Sequence, residues 1–361
     1  MTQTLDELLL HMADMDATDL HLRVDEVPRF RVHGNLVAPA DATPVSLDAI
    51  RDLVAKMLDP RKVEELEGKG EIDLVHSVGE DLRLRATIFR ELGGYGAAFR
   101  RIARDVPKFD ALGLPPAVAG FVEYPSGLVV IAGPSGSGRT TTLHCLIDRA
   151  NDTLQRHVLT LEGLIEFSHR DRKSLIHQRQ VGVQAHDVAH SILHSLQQSP
   201  DILVVEELHE PEAVQAACLA AESGVLVLAT IQANGALQAI EKLVNAFPGD
   251  QAAAGRGRIA GCLRAILCQH LLRRQFGVGA TIAPEILLNT ELVAGFLRED
   301  KQLEVQNAMV RYRSLGMRLL DDSLQELVEQ NVILPEDALA TAVNKQRFEG
   351  MIRNASFGRQ R

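Results

Sequence analysis

The stretch Leu128 to Thr141 (LVVIAGPSGSGRTT) constrains the fold more than any other part of the chain. Its first five residues are apolar without interruption, then come glycines at 133, 136 and 138, then a segment with helical periodicity. A continuous apolar run reads as a strand buried on both faces, and such a strand needs helices on both sides of its sheet. Three similar runs follow, at Val158 to Leu161, Ile202 to Val205 and Val225 to Ala229, separated by helix-period segments. The spacing predicts an α/β core of parallel strands joined by crossover helices.

Ahead of this core, residues 1–104 read as a small α+β domain. An amphipathic helix (Leu5, Leu8, Leu9, Met12) opens it, and short apolar runs follow at Leu20 to Val24 and Phe30 to Val32. A second helix is expected from Ser46, a serine suited to capping, to Leu58, with Pro60 closing the segment. Strands are expected at Ile72 to His76, Leu82 to Phe89 and Tyr95 to Ile102, the last two joined at Gly93 and Gly94. Residues 105–117, with three prolines, read as a connector, residues 118–290 as the α/β core, 291–350 as a helical region and 351–361 as a frayed basic tail. In the helical region the patterns fall at Glu291 to Arg298, Leu315 to Gln330 and Pro335 to Lys345.

The charge balance is acidic, 38 Lys and Arg against 48 Asp and Glu, with no basic block to track a duplex backbone. Trp is absent and Tyr occurs three times, which leaves few stacking platforms for single strands, so nucleic acid is not the expected partner. No run approaches the roughly 18 apolar residues of a membrane span, and no basic, apolar leader is present, so a cytoplasmic location is expected. Cys145, Cys218, Cys262 and Cys268 form no CxxC pair and no paired histidines at metal spacing accompany them; they are expected to be buried thiols.

The strand, glycine loop and helix together resemble a Walker A loop, which turns several backbone N–H groups inward at a helix N-terminus, where phosphates bind. The candidate nucleotide-binding residues are Gly133, Pro134, Ser135, Gly136, Ser137, Gly138, Arg139, Thr140 and Thr141, with the Thr140 hydroxyl placed for Mg2+. Arg139 stands where the motif has lysine; it keeps the charge but not the compact shape. About 70 residues later, Ser199 to Glu207 (SPDILVVEE) has the form of a Walker B strand whose emerging carboxylate would hold the Mg2+ shell.

Several segments in order make the resemblance specific to a family: Thr18 to Leu22 (TDLHL), Phe30 to Gly34 (FRVHG), Leu161 to Phe167 (LEGLIEF), His177 to Gln180 (HQRQ), Pro200 to Glu207, Ala220 to Gly224 (AAESG) and Ser314 to Asp321 (SLGMRLLD). Together they resemble the type IV pilus retraction (twitching motility) ATPases of the secretion-ATPase superfamily, from about residue 5 to 340. The resemblance implies an N-terminal PAS-like domain, a RecA-like P-loop ATPase domain with a helical C-terminal part, and ATP with Mg2+ bound between domains. It implies a homohexamer, or a mixed ring with a related motor, acting on an inner-membrane pilus platform protein and touching the membrane only through partners. By the same resemblance Glu162 is the catalytic glutamate, Glu207 the Walker B glutamate, and Arg83, Arg85 and Arg100 the arginines that approach the nucleotide from a neighbouring subunit.

The departures from that pattern cluster at the same site. Besides Arg139, Gly163 and Leu164 replace an Asp-Pro pair, Gln232 replaces a histidine that can titrate, Leu193 and Gln197 replace arginines before the Walker B strand, and His209 replaces one after it. Leu292 to Glu299 keeps only the end of the family's retraction-associated helix motif. Two readings stay open: a working motor, and a hydrolysis-deficient nucleotide-binding paralogue accompanying an active one. A small-molecule kinase on the same loop would leave the N-terminal domain unexplained.

Overall fold

The computed structural model describes residues 4–32, 34–40, 42–79, 82–103, 105–185, 187–276 and 279–358. His33, in the FRVHG segment, Arg104 at the expected domain end and residues 359–361 of the expected tail lie outside them. Contacts divide the chain into two compact units, one of residues 1–105 plus Leu164–Ser168, the other of Val106–Gly163 plus His169–Arg361.

The first unit contains α1 (Leu5–Asp14), β1 (Asp19–Arg23), β2 (Arg29–Val32), β3 (Asn35–Val37), α2 (Leu47–Met57), α3 (Pro60–Lys69), β4 (Glu71–Val78), β5 (Leu82–Glu91) and β6 (Gly94–Ile102). The strands form one antiparallel sheet in the order β3-β2-β1-β6-β5-β4. Ser46 caps α2, accepting the Ala49 N–H at 3.2 Å, as its hydroxyl suits. Pro60 does the opposite of what the sequence suggests: it opens α3 at N1, where its missing N–H costs nothing, with Asp59 as the cap.

The second unit runs through α4 (Pro116–Ala119), β7 (Gly127–Gly133), α5 (Arg139–Thr153), β8 (His157–Glu162), β9 (Leu175–Gln180), α6 (Val188–Ser195), β10 (Ile202–Val205), α7 (Pro211–Glu222), β11 (Leu226–Gln232), α8 (Ala236–Asn245), α9 (Ala252–Cys262), β12 (Leu263–Arg273) and β13 (Ala280–Leu288). It ends with α10 (Glu291–Arg298), α11 (Gln302–Arg311), α12 (Leu320–Glu329), α13 (Pro335–Thr341) and α14 (Lys345–Gly358). The sheet order is β13-β12-β7-β11-β10-β8-β9, parallel except for β13 against β12, which departs from the all-parallel expectation. Alternate residues of β7 enter opposite cores, Leu128, Val130 and Ala132 one and Val129 and Ile131 the other, which is why the strand is apolar throughout. Phe109 and Leu114, within the expected connector, are buried in the second of these cores. The helix expected from Leu315 begins only at Leu320, after a short 3-10 turn and Gly316, whose φ of +102° ends that turn. The tail expected to fray from residue 351 continues as helix to Gly358.

Candidate active site

Parallel order brings the loops after β7, β8, β10 and β11 to one edge of the sheet, the carboxyl edge where α/β folds bind ligands. Register makes the neighbours specific: Gln232 pairs with Gly133, and Val205 lies between Leu161 and Ala229, so Glu162, Glu206 and Thr230 emerge side by side.

At the end of β7 the chain turns tightly. A Cβ on Gly133 would lie 2.2 Å from Ser137 Oγ and 2.6 Å from the Gln269 carbonyl, so only glycine fits. Gly138, at φ +85°, adopts the left-handed conformation and starts α5 with no side-chain cap, leaving the N–H groups of Arg139, Thr140 and Thr141 without intrahelical partners. Ser135 and Gly136 are exposed at the loop tip, while Pro134 accepts the Ser137 N–H. One residue that the sequence reading misses supports all this from below: Gln269 on β12, fully buried, donates to the Ser137 carbonyl at 2.6 Å and accepts from the Thr142 hydroxyl at 3.0 Å. A lone glutamine in the apolar run LRAILCQHLL was its only signal.

Arg139 turns back toward Glu207, with Nη1 3.8 Å from the carboxylate. Nη1 is buried and has no hydrogen-bond partner among the described residues, so an anion at the loop would satisfy a donor that the protein leaves open. The loop residues therefore fit a phosphate-bearing ligand. Glu207 itself is half exposed at the end of the Walker B segment, whereas Glu206 accepts the Gly163 N–H at 2.8 Å. Glu162 is almost fully buried and accepts from the Thr160 hydroxyl at 2.5 Å and from Gln178 Nε2 at 2.9 Å, with His144 Nε2 at 3.5 Å from its other oxygen. Gln232 is exposed at the end of β11 and its carbonyl accepts from Lys242 at 2.6 Å. His209, standing for an arginine, lies 3.6 Å from the carboxylate of its neighbour Glu210.

Arg83, Arg85 and Arg100 lie in the first unit. Register sets Arg85 directly across from Arg100 and Arg83 across from Ile102. Arg85 pairs with Asp73 at 2.7 Å and Glu166 at 3.5 Å, and Arg100 with Asp19 at 2.7 Å. Burial pushes Asp19 up, but the Thr18 hydroxyl and Arg100 outweigh it and hold the carboxyl below its ordinary value. For Glu166 burial wins over Arg85 and the proton is held more tightly than usual.

The four cysteines are buried free thiols, as expected. A pair of histidines at metal spacing does exist: His190 and His194 stand one turn apart on α6, ring centroids 4.2 Å apart. Among the described residues no group of three or more His, Cys, Asp or Glu is placed to hold a metal, and no helix is long and apolar enough to cross a membrane.

A parallel sheet with this loop, this uncapped helix and these carboxylates at its carboxyl edge defines a P-loop nucleotide-binding domain of RecA-like type. More particularly, the chain belongs to the type II/IV secretion system protein family, whose model matches residues 1–336. It is 32% identical over 95% of its length to the type IV pilus retraction ATPase PilT of Pseudomonas aeruginosa, covering 99% of that protein. It is 30% identical over 97% of its length to the type IV pilus ATPase PilU of the same organism, covering 92% of it. The crystal structure of the pilus retraction motor PilT with bound ADP superposes with a TM-score of 0.84 at 29% identity, over 96% of this chain and 99% of that one.

Proposed function

We propose that the chain is a motor subunit of the pilus retraction class, binding Mg-ATP at residues 133–141 and working in a ring, of six copies or mixed with a related motor, against a platform protein at the cytoplasmic face of the inner membrane. The observation that carries this is the loop itself, where the uncapped start of α5 and the open Nη1 of Arg139 meet in a chain alike over nearly its whole length to a retraction ATPase. Bound nucleotide supplies the phosphoanhydride bond whose cleavage would drive the motor. In this reading the N–H groups of Gly136, Gly138 and Arg139 bind phosphates, Thr140 and Glu207 hold the Mg2+ shell, Glu162 orients water, and Arg83, Arg85 and Arg100 of a neighbouring copy neutralise charge.

One contact favours the second reading, a subunit that binds nucleotide and turns it over slowly. Arg139 is drawn toward Glu207, the acid assigned to the metal shell, and Gly163 brings no carboxylate beside Glu162. Steady-state ATPase activity of the purified chain, alone and mixed with a motif-complete relative, separates the two. Turnover above about 1 s⁻¹ by the chain alone supports the motor; an inactive chain that changes the relative's own turnover in the mixture supports the accessory subunit, and no nucleotide binding at all removes both.

A further inference from the structure

Behind the loop, four residues face one another in a polar ring. Gln178 Nε2 donates to Glu162 Oε1 at 2.9 Å, and Gln178 Oε1 accepts the His169 backbone N–H at 2.8 Å. His169 Nε2 lies 2.9 Å from His144 Nδ1, and His144 Nε2 faces Glu162 Oε2 across 3.5 Å, within ion-pair reach but outside hydrogen-bond geometry. The two imidazoles stack at 5.2 Å between centroids with an interplanar angle of 15°. His144 and Glu162 are each 1% exposed, so bulk water does not compete for these contacts. His144 sits on α5 four residues beyond Thr140, and Glu162 ends β8, so the ring joins the helix that starts at the phosphate loop to the carboxylate at the sheet edge.

We propose that His144 is a positioning residue for Glu162, a neutral imidazole that aims its N–H at the carboxylate from 3.5 Å and couples its orientation to the placement of α5. The proposal rests on the assignment of Glu162 as the water-orienting group and adds what orients it.

The proton inventory favours one pair of tautomers when Glu162 is ionised. Burial, with His169 alongside, pushes His144 down to about 3, and burial pushes His169 down to about 4, so both rings are neutral near pH 7. The remaining charges acting on His169 are Asp148 and Arg172, which are paired with each other, so they largely offset. One N–H must lie between His144 Nδ1 and His169 Nε2. If His144 supplied it, the bare Nε2 lone pair of His144 would face a carboxylate, acceptor against acceptor. With Glu162 ionised, donation from His169 leaves the His144 proton on Nε2, aimed at Glu162. This is the arrangement by which an outer group orients a functional one.

The ring also gives α5 a handle on Glu162. A ligand that pulls the helix N-terminus by a fraction of an ångström moves His144 with it, and because both residues are buried in packed surroundings the shift reaches Glu162.

The test labels glutamate carboxyl carbons with 13C in the full-length protein and follows Glu162, assigned by loss of its signal in Glu162→Gln, as pH is varied. His144→Leu removes the donor to the charged form and is expected to raise the Glu162 midpoint by about one unit. His144→Gln, which places an N–H near the position of Nε2, is expected to shift it by less than half as much. His144→Asn keeps a polar atom toward His169 but none toward Glu162; it is expected to behave like the leucine variant and serves if that one fails to fold. An unchanged midpoint in both His144→Leu and His144→Asn, or a glutamine variant shifted as far as they are, overturns the proposal. ATP affinity by calorimetry is expected to stay within about threefold in the three His144 variants, because the imidazole faces Glu162 and His169 rather than the loop. Failure of the motor reading would appear separately, as absent turnover in the unmodified protein with the midpoint shift intact.

Discussion

Replacing Gln269 with leucine should loosen the phosphate loop from beneath and cost the second unit a measurable part of its stability. Gln269 is fully buried and makes two hydrogen bonds, one to the Ser137 carbonyl and one from the Thr142 hydroxyl. Leucine has similar volume, so the cavity contribution is small, and the cost comes from the two stranded partners. A buried polar group left without its partner costs about 1–3 kcal/mol, so two of them amount to roughly 2–5 kcal/mol after leucine's own apolar burial is credited. In a unit of this size about 3 kcal/mol lowers the melting temperature by roughly 6–12 °C. Urea titration and calorimetric melting of Gln269→Leu against the unmodified chain give the number. Thr142→Val removes one of the stranded groups, so adding it to Gln269→Leu should restore part of the loss, a non-additivity of about 1 kcal/mol. ATP affinity should fall as well, because Ser137 lies inside the loop. A loss of stability below about 1 kcal/mol, with ATP affinity unchanged, would refute the view that Gln269 holds the loop.

Gly133→Ala should abolish ATP binding in calorimetry, since the added methyl would fall 2.2 Å from Ser137 Oγ and 2.6 Å from a backbone carbonyl that cannot swing away. Arg139→Lys alone should leave turnover far below about 1 s⁻¹, whereas Arg139→Lys with Gly163→Asp and Gln232→His should recover more than the sum of the single changes in logarithmic terms, because groups acting on one phosphate are non-additive. The buried His144 should make stability fall on acidification: below about 6.5 the unfolded chain takes up a proton that the folded imidazole, with its midpoint near 3, refuses. Urea midpoints compared between pH 7 and 5 should thus drop more steeply for the unmodified protein than for His144→Asn. Sedimentation at micromolar concentration should reveal rings of this chain, or its entry into those of a relative, and monomer alone under both conditions would count against assembly.

What the sequence revealed followed from burial. β7 announces itself because both of its faces are covered, and α1 and α2 because one face of each is. β9 (LIHQRQ) lies at the sheet edge, half wet, and its mixed pattern reads as neither strand nor helix. β12 and β13 extend past the parallel core, and Gln269, His270 and Pro284 interrupt their apolar runs. Pro60 misled because proline ends one helix and begins another with equal ease; Asp59 before it was the signal that decided. At the site, the glycines and carboxylates were legible because their chemistry is bound to a motif. His144 and His169 were not, since their partnership depends on residues 25 positions apart in the chain returning to one place.

The pairing of β1, β2, β5 and β6 has a consequence for how the first unit's arginines can change. Arg31, Asp19, Arg100 and Arg85 are direct cross-strand neighbours, so they form a single row across four strands. Along β5 the residues Leu82, Leu84, Ala86 and Ile88 fill the core while Arg83 and Arg85 face away from it. Side-chain direction in a strand comes in steps of two residues. Inserting or deleting one residue before Arg83 would turn the leucines to water and the guanidinium groups into the core at the same moment. The positions of these charges can therefore be altered by substitution but not by sliding, and the surface that carries them is as rigid as the hydrophobic layer beneath it.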